Sequence, residues 1–294
     1  MSALNLQAPA KINLFLAVTG RRTDGYHDLV SVAAPLVWGD SISAEPVDGP
    51  VTVTCDDPMV PLGEANLVAR AAAVFAAATG WSRGVKFTVT KRIPMGAGLG
   101  GASSDATSAL LALNALSGHL LDEAGLLRAA SAVGSDCALF LARAPVVMRG
   151  RGERIEPLGK EAYGRIRGMR LLVFKPEFPV PTPWAYAQLA AAAPASYVPL
   201  EEAESLLAGW LGRKSAPVQD LVFNSMEGAV FAKFPALPIL LEELWARFGI
   251  VGRMSGSGSA CFAFLGEDAP SGPIEALVRE AWGASAFVVD TRIA

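Results

Sequence analysis

The sequence predicts an α+β protein of two closely joined lobes, and three observations predict it. Strand-like alternating segments and Ala-rich helical segments both occur along the chain. The length, 294 residues, is more than a single small core usually fills. A stretch at 158–168 carrying Gly159, Gly164 and Gly168 divides the chain into lobes of 1–160 and 161–294, and no low-complexity linker separates them.

The elements follow in order. Ile12, Leu14 and Leu16 alternate with Lys11 and Asn13, which marks a first strand with two polar residues on one face. Segments 41–47 and 51–55 read as further strands. Asn66 opens a long Ala-rich helical stretch that stops at Gly80. VKFTVTK (85–91) alternates cleanly, and the glycine-rich run PMGAGLGGASS (94–104) leads into a helix with Ala106, Ala109, Leu110 and Leu113 on its apolar face. A second helix begins near Asp122 and ends at Gly134, a short third follows Ser135, and VVMRGRGERIEPL closes the lobe as strand. The second lobe opens with the strand MRLLVF and a Pro-rich turn, then becomes largely helical. It ends with GRMSGSGSACFAFLG, a helix near 273–282 and the strand SAFVVD.

Composition narrows the function. With 52% apolar residues the chain is not disordered. Its mean hydropathy of +0.36 owes much to alanine. No apolar run reaches the roughly 18 residues of a membrane span, and the best candidate, 136–148, is broken by Asp136 and Arg143. A soluble protein with no membrane partner is expected. The start of the chain lacks a basic n-region, so no signal peptide is expected. Three scattered cysteines, Cys55, Cys137 and Cys261, form neither a disulfide framework nor a metal pair, so cytoplasm is the default compartment. A net charge of −3 without a strong basic run argues against nucleic acid. The one arginine cluster, Arg149, Arg151 and Arg154, reads as a solvated hairpin turn.

The strongest chemical feature is the run Pro94, Met95, Gly96, Ala97, Gly98, Leu99, Gly100, Gly101, Ala102, Ser103 and Ser104, between a strand and a helix. Glycines let backbone N–H groups converge on an anion, and the helix N-terminus adds partial positive charge. Ser103 and Ser104 can donate to phosphate oxygens. The run satisfies GxGxxG, but the acid that a dinucleotide site needs about 20 residues on is missing from strand context, because Asp122 opens a helix. No lysine follows the last glycine, so a Walker loop also fails. Lys11 with Asn13, and Asp136 at a helix start, are the other candidate chemical groups. Cys137 reads as a buried small residue, since His27 and His119 lie at no recognisable spacing for a nucleophile's base.

At these residues the sequence resembles the GHMP kinases. PMGAGLGGASSDAT resembles their phosphate-binding motif, and RMSGSGSACFAF, with Ser255, Gly256, Ser257 and Gly258, resembles their third, glycine-rich motif. APAKINLFLAVTGRRTDGYHDLVSV (8–32), above all Lys11-Ile12-Asn13 and Asp24-Gly25-Tyr26-His27, is most similar to the 4-diphosphocytidyl-2-C-methyl-D-erythritol kinases. The resemblance implies a ribosomal-protein-S5-domain-2-like N-terminal lobe and a ferredoxin-like C-terminal lobe. It implies transfer of phosphate from ATP, with Mg2+ arriving on its phosphates and no protein metal ligand, to the 2-hydroxyl of a small-molecule cytidylyl substrate in isoprenoid precursor synthesis. Asp136 would be the catalytic carboxylate and Lys11 its partner. His27 would meet the cytosine edge, and Tyr26 or Tyr186 its face, with Trp184 a third ring nearby. Asn13 and Thr182 would add polar substrate contacts. Asn66, which equally fits a helix N-cap, and Lys91, equally a strand-end surface lysine, would lie near adenine.

Two departures from the family pattern stand out. Ala102 and Asp105 occur where a glycine and a neutral residue are usual, so Asp105 is expected to face away from bound phosphate or to act as a first-turn acid. Ser225 follows Asn224 where an Asp is usual. Relatives that phosphorylate homoserine or mevalonate need no nucleobase pocket, which the Tyr26–His27 pair argues for. A non-catalytic sensor on the same fold would not need both Lys11 and Asp136. The oligomeric state is not legible.

Overall fold

The computed structural model describes residues 3–294. Its first elements are β1 (Leu4–Arg21), β2 (His27–Val47), β3 (Thr52–Cys55), α1 (Leu67–Thr79), β4 (Gly84–Thr90), α2 (Gly101–Leu116) and α3 (Glu123–Val133). There follow β5 (Val146–Gly150), β6 (Arg154–Pro157), α4 (Lys160–Ile166), β7 (Arg170–Lys175), α5 (Thr182–Ala191) and α6 (Leu200–Gly212). The last are β8 (Phe223–Asn224), α7 (Glu227–Lys233), α8 (Ala236–Phe248), β9 (Gly252–Met254), β10 (Cys261–Phe264), α9 (Gly272–Trp282) and β11 (Phe287–Arg292). The chain forms two compact units from interleaved segments. One holds the described residues to Ala10, Trp38–Met95 and Gly100–Arg143; the other holds Lys11–Val37, Gly96–Leu99 and Ala144–Ala294.

In the first unit, residues 41–47 of β2 pair antiparallel with β4, which pairs parallel with β3. Val85, Phe87 and Val89 are buried while Lys86, Thr88 and Thr90 face out, as the alternation requires. Helix α1 begins at its cap Asn66 and ends at Gly80, whose φ of +73° is the left-handed conformation that stops helices at glycine. It packs on α2 and α3. Ala71, Ala72 and Phe75 of α1 and Ala106, Ala109 and Leu110 of α2 are buried. Asp122 caps α3 by accepting from the Gly125 N–H at 2.7 Å.

Three local expectations need correcting. The strand expected at 41–47 is only the last third of β2, which begins at His27. Pro35 and Gly39 mask the rest. Pro35 lies between the two paired runs 29–33 and 41–47, where its missing N–H breaks no bond to β4 or β5. Gly39 passes so close to β1 that a Cβ would stand 2.2 Å from the Ala8 carbonyl oxygen. The short helix expected after Ser135 is a single 3-10 turn, Ala138–Leu141. The final strand lies two residues later than SAFVVD suggests, at Phe287–Arg292.

In the second unit, residues 29–33 of β2 pair with β5, and β5 pairs with β6 as the hairpin expected at RGRGER. Arg149 on this hairpin is not merely solvated: it bonds Glu204 at 2.7 Å and Glu156 at 3.1 Å. Phe15 and Leu16 of β1 pair parallel with β8. A separate four-stranded antiparallel sheet runs β11-β7-β10-β9. In its own numbering that order is 4-1-3-2, with helices between the first two and last two strands, the β-α-β-β-α-β arrangement of ferredoxin-like folds. Strand β7 is paired on both edges and covered on both faces, with Leu171, Leu172, Val173 and Phe174 all buried, which is why its run is unbroken and apolar. Leu172 and Phe174 share a core with Leu240 and Leu244 of α8 and Ile274 and Val278 of α9.

Candidate active site

The segment after β4 has the build of an anion cradle. Gly96, Gly98 and Gly100 have φ of +60°, +75° and +74°, a region closed to most side chains. The Ser104 N–H already donates to the Gly100 carbonyl at 2.9 Å, so α2 is formed from its first residue. The free N–H groups of its first turn and its dipole are those suited to phosphate. Pro94 and Ser103 are half-buried, Met95 and Ala102 exposed, and Ser104 wholly buried with its Oγ lacking a hydrogen-bond partner.

Below this segment lies a feature that spacing did not reveal. Lys91 is no surface lysine. Its side chain is 7% exposed, and its ammonium is paired with Asp40 and, at 2.9 Å, with Asp105. Asp40 is fully buried and also accepts the Arg92 and Ile93 N–H groups at 2.5 and 2.8 Å. Asp105 is 5% exposed and faces Lys91; burial and the like charge of Asp40, opposed by Lys91, push its carboxyl up to about 7. Asn66 is engaged as a cap, accepting from the Val68 N–H and donating to the Pro61 carbonyl, both at 2.8 Å.

Asp136 is half-buried in the turn between α3 and the 3-10 turn. Thr107 of α2 donates to the Cys137 carbonyl at 2.8 Å, and the Cys137 N–H donates to the Gly134 carbonyl at 3.2 Å, so the turn carrying Asp136 is tied to α2. Cys137 itself is buried, and burial raises its thiol to about 11, which leaves it unreactive.

The second unit gathers the other predicted groups. Lys11 and Asn13 are 5% and 7% exposed, so their strand face is no solvated surface. The Lys11 ammonium donates to Asn13 Oδ1 at 2.5 Å and to the Gly98 carbonyl at 2.9 Å. Ser255 Oγ donates to the same carbonyl at 3.1 Å and accepts from the Asn13 N–H at 3.3 Å. A Cβ on Gly98 would stand 2.2 Å from the Ser255 carbonyl oxygen, and Gly256 has a φ of +58° with its Cβ position 3.2 Å from the Gly98 oxygen, so both positions favour glycine. Thr182 and Ser257 share a hydrogen bond of 2.8 Å, and a Cβ on Gly258 would strike the Met254 sulfur. The two glycine motifs thus meet at Lys11.

Asn224, unreadable from sequence, earns its place here. Its amide donates to the Met254 and Gly256 carbonyls at 2.8 Å each, while Glu227 Oε1 accepts the Met254 N–H at 2.8 Å. Ser225, in place of the usual Asp, accepts the Val18 N–H at 2.9 Å.

The aromatic candidates separate. The His27 ring lies 4.8 Å from that of Tyr186 and 5.9 Å from that of Tyr197, a neighbour the sequence did not suggest. Its Nε2 is enclosed without a hydrogen-bond partner, and burial, then the Arg21 charge, lowers its pKa and keeps it neutral near pH 7. Tyr26 is 56% exposed under the Arg151 guanidinium, 4.7 Å from the ring centroid. Trp184 packs edge-on against Phe234 with the Lys233 ammonium over its ring, so it serves packing. Among the described residues, no group of three or more His, Cys, Asp or Glu is placed to hold a metal ion, and no helix is long and apolar enough to cross a membrane.

Comparison with known proteins gives the family. The GHMP kinase N-terminal domain matches residues 66–143 and the GHMP kinase C-terminal domain residues 205–284. A 4-diphosphocytidyl-2-C-methyl-D-erythritol kinase of Thermus thermophilus is 39% identical over 281 residues, covering 94% of this chain and 92% of its own. One from Methylacidiphilum infernorum is 37% identical over 271 residues, covering 91% and 88%. A crystal structure of a 4-(cytidine 5'-diphospho)-2C-methyl-D-erythritol kinase superposes with a TM-score of 0.77 at 36% identity, over 99% of this chain and all of that one. The chain belongs to the GHMP kinases, and within them to the family of 4-diphosphocytidyl-2-C-methyl-D-erythritol kinases.

Proposed function

We propose that the chain transfers the terminal phosphoryl group of ATP to the 2-hydroxyl of 4-diphosphocytidyl-2-C-methyl-D-erythritol, a step of isoprenoid precursor synthesis. The observation that carries this reading is the buried Lys11 ammonium, aimed between the Gly98 carbonyl and Asn13 at the meeting of the two glycine motifs. A lysine in that position offsets negative charge on a transferring phosphoryl group, where catalysis rests on positioning and charge stabilisation. The positive-φ glycines and the start of α2 hold the ATP phosphates, and Mg2+ comes with ATP, bridging phosphate oxygens. Asp136 accepts or orients the proton of the substrate hydroxyl. Thr182, Asn13 and the Ser255–Gly258 motif place the acceptor. Neutral His27 presents donor and acceptor nitrogens to a cytosine edge, which an imidazolium could not, and Tyr186 beside it or Tyr26 supplies the stacking face. Asn66 and Lys91 act on ATP through the elements that they brace: Asn66 caps α1, and Lys91 holds the start of α2 through Asp105. The lobes are taken as 1–160 and 161–294, a division supported by one family domain falling in each.

The test is ADP release with MgATP and the cytidylyl substrate, for wild type and Asp136→Ala. Wild-type turnover lost by about 100-fold or more in the variant, with ATP binding retained, is expected. A folded, ATP-binding wild type that ignores this substrate but turns over another alcohol would move the assignment elsewhere among small-molecule kinases.

A further inference from the structure

Asp40, Lys91 and Asp105 set two carboxylates on one buried ammonium, and the two acids are not equivalent. Asp40 is complete: one oxygen takes two backbone N–H groups, and the other takes Lys91. Asp105 is not. Its Oδ2 bonds Lys91 at 2.9 Å, while its Oδ1 is buried with no partner, and the neighbouring Ser104 Oγ is equally enclosed and unpartnered. Buried acceptors left without donors are rare and ask for a reason. The triad lies at both ends of the glycine segment. Asp40 grips the backbone at Arg92 and Ile93 that enters it, and Asp105 stands on the fifth residue of the helix that leaves it. The Lys91 ammonium runs under the first residue of α2, 3.2 Å from where a Gly101 Cβ would stand.

We propose that Asp105 is a proton-coupled positioning residue for ATP: it holds Lys91 under the start of α2 and takes up a proton from solvent when phosphate charge arrives at that helix. The inference rests on the ATP-kinase reading above. Lys91 faces Asp40 on β2 and Asp105 on α2, so with both acids ionised the triad carries one net negative charge beside the phosphate cradle. Protonating Asp105 brings the triad to neutrality and gives the acid a hydrogen to donate. A carboxyl raised to about 7 makes that uptake accessible at physiological pH. Because bound phosphate disfavours the ionised acid, linkage requires that ATP bind less tightly as pH rises through this range.

Titration calorimetry of MgATP into the whole protein near pH 7.5, in two buffers of different ionisation heat, reads the proton count directly. Net uptake of a fraction of a proton is expected for wild type, and none for Asp105→Asn. In steady-state assays from pH 6 to 8.5, the wild-type KM for ATP should climb by about tenfold, less than the 100-fold that a 1 Å misplacement can cost. The Asp105→Asn profile should be flat, and the KM for the alcohol substrate should show no such limb. Wild type that binds ATP without proton uptake overturns the inference whether or not the variant folds. Equal uptake in wild type and variant overturns it too. Failure of wild type to bind ATP at all overturns the kinase reading, and this inference with it.

Discussion

The glycine segment after β4 is anchored at its two ends by ions, whereas the segment after β9 is anchored by neutral hydrogen bonds. Asp40, Lys91 and Asp105 brace the first. The second is held by the Asn224 amide, the Ser255 and Ser259 hydroxyls and the Thr182–Ser257 pair. Its one acid, Glu227, is pushed up by burial, toward the form that carries no charge. An ion inside a protein is costly unless matched, so the first anchor gains strength from each partner and fails badly when one is lost. Neutral bonds fail in smaller steps and do not titrate. The ionic anchor therefore carries a carboxyl raised to about 7, while the second segment rests mostly on groups that hold no charge.

Breaking each anchor tests the contrast, beginning with the larger effect. Lys91→Met leaves two carboxylates buried without their counterion, and a loss of about 3–5 kcal/mol in urea unfolding at pH 8 is expected. That loss should shrink at pH 5, where Asp105 takes its proton. An equal loss at both pH values would show that packing of the lysine stem, not charge, holds the segment. Asn224→Ala strips donors from two buried carbonyls and should cost about 1–3 kcal/mol. The same figure should be found at pH 5.5 and 8; a strong pH dependence would contradict the neutral-anchor description.

The subtlest comparison uses the stability profile of Asp105→Asn. An acid raised from 3.8 to about 7 by folding contributes stability that is full below pH 4 and is lost as pH rises to about 7. Wild type should therefore lose stability between pH 4 and 7 relative to the variant, with no further divergence above pH 8. Parallel curves in chemical denaturation would place the ionisation of Asp105 outside this window.

Much of both glycine segments was legible beforehand because glycine spacing, caps and period are local. Asn66 and Gly80 bounded α1 correctly, since a side-chain cap and a left-handed glycine act within their own turn. The family motifs named the residues around Lys11. The extent of β2 was not legible, because Pro35 and Gly39 look like breakers until the neighbouring strands show where pairing pauses and where backbone must approach. The partners of Asp105 were not legible for the same kind of reason: Lys91 and Asp40 come to it from other parts of the chain.

The sequence by itself determined the class of fold, the limits of α1, α3 and α9, the two glycine motifs and the groups from which a kinase site could be built. Each follows from periodicity or from backbone freedom at single residues. Only the tertiary structure decided which polar groups are buried and what satisfies them. Lys91 finds Asp40 from 51 positions away and Asp105 from 14, and Asn224 reaches Met254 across 30. His27 meets Tyr186 and Tyr197 only once β2 and α5 are in place. Burial and pairing are properties of neighbours in space, and a charge has no fixed cost until those neighbours are known.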